Sequence, residues 1–123
     1  MPSIDRPLSG QALHFRLGDG DRSELIDREL VDRAGRSART LFKDGPRRVT
    51  LIAVREGGRL SPHVAPGPIT LHVLSGTIRL RAAERSYDLE AGDLLSLGPG
   101  VRHAVESDSG GVFLLTVVAE PDR

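Results

Sequence analysis

Cysteine is absent from this chain of 123 residues. No disulfide framework, cysteine-ligated zinc site or thiol nucleophile can be built, and the absence fits a reducing compartment. Tryptophan is absent too, and the aromatic side chains are Phe15, Phe42, Phe113 and Tyr87. So few rings leave little on which single-stranded nucleic acid could stack. Net charge is also missing, since 17 basic residues balance 17 acidic ones. A neutral chain offers no overall field to a phosphate backbone or an anionic membrane. No apolar run nears the roughly 20 residues of a membrane-spanning helix. The opening MPSIDRPLSG lacks the basic-then-apolar order of a signal peptide. The expectation is a soluble cytoplasmic protein that engages neither nucleic acid nor membrane. Lysine is scarce as well: every cationic side chain except Lys43 is arginine. A phosphate-binding explanation of that bias competes with the base composition of the gene, which is the simpler account.

What is present is enough chain for one core, punctuated by 14 glycines and 8 prolines. Residues 1–36 read as an extended arm followed by one helix. A short edge strand is expected at Ala12–Leu17. Asp21, with Glu24 three residues on, has the form of a capping box. Leu25, Ile26, Leu30 and Val31 then mark one apolar stripe at helical spacing, and Gly35 suits the left-handed position after the last turn. From residue 37 to about 120 the pattern changes to short strands every 8–12 residues, with Gly or Pro between them, as in an all-β sandwich or barrel. No helical segment separates these strands, which excludes parallel βαβ units.

Two stretches stand out. GGRLSPHVAPGPITLHVLSG, residues 57–76, carries His63 and His72 and is expected to turn at Ser75-Gly76 into the strand TIRLR. AGDLLSLGPGVRH, residues 91–103, ends on His103. Each has strand, Gly/Pro loop, histidine and strand, the repetition expected of a jelly roll made from two Greek keys. Other constellations are weak. Ser61, Ser75 and Ser96 have no recognisable base and acid partners, and no G-x-S-x-G occurs. The glycine pairs open no helix and are turns rather than phosphate loops. The basic run Arg33, Arg36, Arg39, Arg47 and Arg48 reads as a solvated face.

These two stretches resemble the cupin motifs. Gly58, His63 and Leu71-His72-Val73-Leu74-Ser75-Gly76 are similar to the first, and Gly92-Asp93 through Gly98-Pro99-Gly100 to His103 are similar to the second. The resemblance implies an all-β, cupin-type double-stranded β-helix (a jelly-roll barrel) with one N-terminal helix, and a homodimer. Many cupins hold a divalent metal on three histidines and a glutamate. By the resemblance, His63 and His103 occupy two of those places. The second histidine is replaced by Ala65, the glutamate by Ile69, and a frequent asparagine by Ser107.

The residues therefore support two readings. In the first, the barrel has no resident cofactor. Ile69, Leu71, Val73 and Leu95 line a small apolar pocket, and His63 and His103 orient the polar end of a small-molecule ligand. The protein would then be a non-catalytic or regulatory binding module. In the second, it is a dioxygenase- or isomerase-type enzyme with Fe, Mn, Ni or Zn on His63 and His103, the set completed by water or by His72 as third ligand. Strand parity opposes His72, because Leu71 and Val73 face inward with Ile69 and His72 then faces away. A β-bulge would be needed to turn it in. Glu106, at an odd offset from His103, is expected on the opposite face for the same reason.

Overall fold

The computed structural model describes residues 9–119. The chain runs α1 (Asp19–Arg22), a 3₁₀ turn (Ser23–Leu25), α2 (Arg28–Ala34), β1 (Arg36–Asp44), β2 (Arg47–Val54), β3 (Arg59–Val64), β4 (Ile69–Ala82), β5 (Arg85–Glu90), β6 (Leu94–Leu97), β7 (Arg102–Glu106) and β8 (Gly111–Val118). All strand pairs are antiparallel. The sheet order is β1-β2-β8-β4-β7-β3, with β5 and β6 also on β4. It is a curled jelly-roll barrel, as the strand spacing implies. Among the described residues, no helix is long and apolar enough to cross a membrane.

The 14-residue β4 joins the two halves. Its first part, Ile69–Gly76, lies between β6 and β8; its second part, Thr77–Ala82, pairs with β5 and, from Arg79, with β7. We call β1-β2-β8-β4-β6 the first sheet and β5-β4-β7-β3 the second. The hairpin expected at Ser75-Gly76 is not there. The strand instead turns a corner between sheets, helped by a register shift between Val73 and Ser75. Gly76 has φ +71° and packs so close to Gly110 that a Cβ would overlap the Gly110 carbonyl. Ser107 pins the same corner: its hydroxyl donates to Thr77 O at 2.5 Å and accepts from Gly110 N at 2.8 Å. The true hairpin comes at Ala83-Glu84, where both residues take positive φ, 50° and 65°.

Two apolar clusters follow from strand alternation. Ile52, Val54, Leu71, Val73, Ile78, Leu80, Val105 and Phe113 fill the barrel interior. Leu41, Val49, Leu51, Ala53 and Val112 lie on the outside of the first sheet, covered by Ile26 and Val31. This arrangement explains the N-terminal segment. The expected single helix is broken at Ile26, which is extended (φ −108°, ψ 126°) and 8% exposed. Pointing Ile26 into the outer cluster interrupts the helix, and Asp27 restarts it by accepting from Leu30 N at 3.0 Å. Asp27, not Asp21, is the capping residue; Gly35 ends the helix at φ 90°, as expected. The stretch Ala12–Leu17 forms no strand. It is tied down by side chains: Phe15 stacks on Phe42 at 5.9 Å, and the buried Arg22 donates to Leu17 O at 3.0 Å.

Candidate functional site

The second sheet carries two adjacent rungs on its inner face. One reads Tyr87, Leu80, Val105, Leu60 across β5, β4, β7 and β3. All four are apolar or aromatic, and all belong to or pack on the interior cluster. The next rung toward the barrel mouth contains Ala82, His103 and His63.

His63 reaches that rung through a β-bulge. Leu60 pairs with Val105 and His63 with His103, so Ser61 and Pro62 together oppose Ala104 alone. Leu60 and His63 are three apart and would point to opposite faces of a regular strand. The extra residue turns His63 inward, beside His103. The bulge considered for His72 thus exists, but in β3. The ring centroids of His63 and His103 are 4.3 Å apart, with planes inclined by 60°.

Each ring is anchored in the same way. His63 Nδ1 lies 3.1 Å from Ser61 O, and His103 Nδ1 lies 3.1 Å from Val101 O. A carbonyl oxygen only accepts, so Nδ1 carries the proton in both rings. Nε2 is then the unprotonated nitrogen of each neutral imidazole, available as an acceptor. The pair binds backbone rather than each other. His103 is 3% exposed. Burial pushes its pKa below the usual value, the hydrogen bond to Val101 opposes this, and positive charge on His63, when that ring is protonated, adds to the lowering.

Ile69, Leu71 and Val73 are buried, at 3%, 1% and 0% exposure. Leu71 and Val73 belong to the interior cluster, and Leu95 packs against it while keeping partial exposure. Leu60, Tyr87, Leu89, Leu97 and Val101 do the same. These apolar side chains are only partly covered by the protein.

His72 does not join the imidazole pair. It lies between Leu71 and Val73, and its cross-strand partner Leu114 packs in the outer cluster. The register shift in β4 comes only after Val73 and leaves His72 outside. Glu106 is on the outer face as expected, bound to Arg81 at 3.0 Å and near Arg79 at 3.7 Å. Among the described residues, no three His, Cys, Asp or Glu side chains converge. Two imidazoles fall short of the three protein ligands of catalytic zinc and lack the carboxylate of a two-histidine iron site. This donor set does not fit a resident catalytic metal.

Sequence reasoning missed Arg85. Its strand pairing places it on the same rung, opposite Ala82, and only register reveals that.

The family model for the cupin domain matches residues 50–119. A search of curated proteins found no match. Among solved structures, the chain resembles a conserved protein of unknown function, SPY1581, from Streptococcus pyogenes. The TM-score is 0.72 and the identity 21%, over 92% of this chain and 95% of that one. A cupin 2 conserved barrel domain protein from Leptotrichia buccalis gives 0.70 at 22% identity, over 80% and 46% of the two chains. A cupin superfamily protein from Desulfitobacterium hafniense gives 0.67 at 16%, over 69% and 78%. Such identities speak for the fold alone.

Proposed function

This chain belongs to the cupin family, and on that premise we propose that it is a small-molecule-binding cupin whose ligand enters the barrel mouth, with no resident metal. The observation that carries this reading is the pair of imidazoles, His63 and His103, each held through Nδ1 with Nε2 available. The next rung inward is apolar, Tyr87, Leu80, Val105 and Leu60, and Leu71, Val73 and Leu95 belong to or pack on the same interior cluster. Apolar walls with a few convergent polar groups are the usual composition of a ligand pocket. Ile69 and Ala65 stand where the resemblance would put ligands. A buried carboxylate without metal would be costly, and Ile69 removes that cost.

A metal-dependent dioxygenase or isomerase is the second reading. One observation favours it: anchoring Nδ1 on a backbone carbonyl is also how metal-ligating histidines are oriented. The donor count opposes it. Elemental analysis of protein purified without a His tag, followed by melting with 1-hexanol as an apolar probe, separates the two. The expected result is far less than one Fe, Mn, Ni or Zn per chain, and a melting temperature raised by hexanol. The increase should shrink in Leu95→Ala. Near-stoichiometric metal that is lost in His103→Ala would replace the first reading with the second.

A further inference from the structure

The rung that holds the imidazoles extends to β5. Ala82 pairs with Arg85 on one side and His103 on the other, so one line across four strands reads Arg85, Ala82, His103, His63. Arg85 faces inward. Its guanidinium sits 5.8 Å from the centre of the Tyr87 ring, and Tyr87 packs against the interior cluster. Strands spaced by ~4.8 Å put the Arg85 and His103 backbones about 10 Å apart. The residue between them is alanine, too short to fill that gap.

A cleft of about 480 Å3 opens at this end of the second sheet and takes residues from both faces, with Ala82, Arg85 and His103 of the inner rung beside Arg81, Glu84 and Arg102. The size suits a small organic ligand. Its charge is unbalanced. Glu106 engages Arg81 at 3.0 Å, but no ion pair among the described residues engages Arg85 or Arg102. Glu84 is the cleft's one carboxylate. Arg85 and Arg102 against the single carboxylate of Glu84 leave the cleft net positive, which disfavours a cation and favours an anion.

The lip of the cleft points the same way. Ala83 and Glu84 form a two-residue hairpin turn with φ of 50° and 65°. Such turns ordinarily use Asn-Gly, because both central residues need positive φ. Here the chain holds two residues with Cβ atoms in a strained turn directly before Arg85, a form of strain that gathers at ligand sites.

We propose that the ligand of the barrel mouth is a small carboxylate with an apolar body. Arg85 takes the carboxylate through paired N–H donors, a geometry that guanidinium supplies and ammonium does not. Arg102 adds charge at the rim. The apolar body lies against Pro62, Ala82 and Ala83 of the cleft wall, and His103 Nε2 accepts from any hydroxyl the ligand carries. This inference rests on the reading of the mouth as a binding site.

Calorimetric titration with hexanoate, acetate, 1-hexanol and hexylamine tests it. Hexanoate is expected to bind at least tenfold more tightly than hexanol or acetate, with hexylamine weakest. Arg85→Gln should erase the preference for hexanoate over hexanol, and Arg85→Lys should restore only part of it. Arg85 is exposed at a hairpin end, and unchanged melting of the free variants confirms that the fold persists. Equal binding of hexanoate and hexanol overturns the inference and leaves the apolar pocket standing. Equal binding of hexanoate and acetate, with none of hexanol, keeps the Arg85 assignment and removes the apolar wall. A hexanoate preference that survives Arg85→Gln overturns the assignment. Binding of none of the four contradicts both readings.

Discussion

Outside the first sheet, Leu41 and Leu51 are 1% and 2% exposed beneath Ile26 and Val31. On the inner face of the second sheet, the last rung ends in exposed His63 and Arg85. The same alternation builds both surfaces, yet one is closed and the other left open. The N-terminal segment accounts for the difference. Its apolar stripe is spent on the first sheet, while the outer face of the second is finished with charge, where Arg79 meets Asp88 at 2.8 Å and Asp108 at 3.3 Å. The closed layer stabilises the barrel, and the open rung is free to hold chemistry.

Gly76 is where the contrast is most easily broken, because it joins the two sheets. Gly76→Ala adds a Cβ against the Gly110 carbonyl at positive φ. A loss of about 3 kcal/mol or more is expected, from backbone strain combined with a clash that no side chain can relieve. Urea denaturation would measure it, and a change below about 1 kcal/mol would remove the corner from this account.

Next comes a matched pair. Leu51→Ala should cost about 3 kcal/mol through a cavity in the closed layer, with hexanoate affinity unchanged. His103→Gln should cost about 1 kcal/mol or less through the altered Val101 contact, while weakening 6-hydroxyhexanoate, whose hydroxyl His103 would receive, more than hexanoate. If Leu51→Ala alters affinity as much as His103→Gln, the two regions are not separate in function.

The smallest effect is the response to pH. His103 is buried, so its folded pKa lies below the ordinary 6.5. Between those two values the unfolded chain binds more protons, and acid favours unfolding. The stability linked to neutral His103 is fully present above pH 6.5 and falls as pH drops below it toward the folded value. His63, its neighbour on the rung, adds to the lowering, and Arg85 lies two strands away on the same rung. Urea midpoints across this range should slope downward in acid, and His103→Gln should flatten the slope. An unchanged slope in that variant would place the proton elsewhere.

Much of the barrel was legible because alternation and glycine-proline punctuation are local signals. β2, for example, shows its two buried faces as Val49, Leu51, Ala53 against Ile52, Val54. The failures occur where a distant partner decides. Ser75-Gly76 looks like a turn, but β8 pairing across Gly111 makes it a corner. Ala83-Glu84 has no turn residue to announce it, and the Asp21–Glu24 spacing mimics a cap that burial of Ile26 moves to Asp27. Parity correctly placed His72 and Glu106 outside. The same rule cannot see the Ser61-Pro62 bulge that turns His63 inward, nor the rung that adds Arg85. The site was thus half readable: its histidines by motif, its geometry only by register.

Ligand binding as proposed depends on His63 and His103 being anchored through Nδ1, with Nε2 left to face the barrel mouth. Long-range proton–nitrogen correlation spectra of the imidazoles, taken above pH 6.5, report the tautomer directly. The proton is expected on Nδ1 in both rings, with both Nε2 signals in the unprotonated range and shifting when hexanoate is added. Protonated Nε2 in either ring, or Nε2 signals that ignore the ligand, would contradict it.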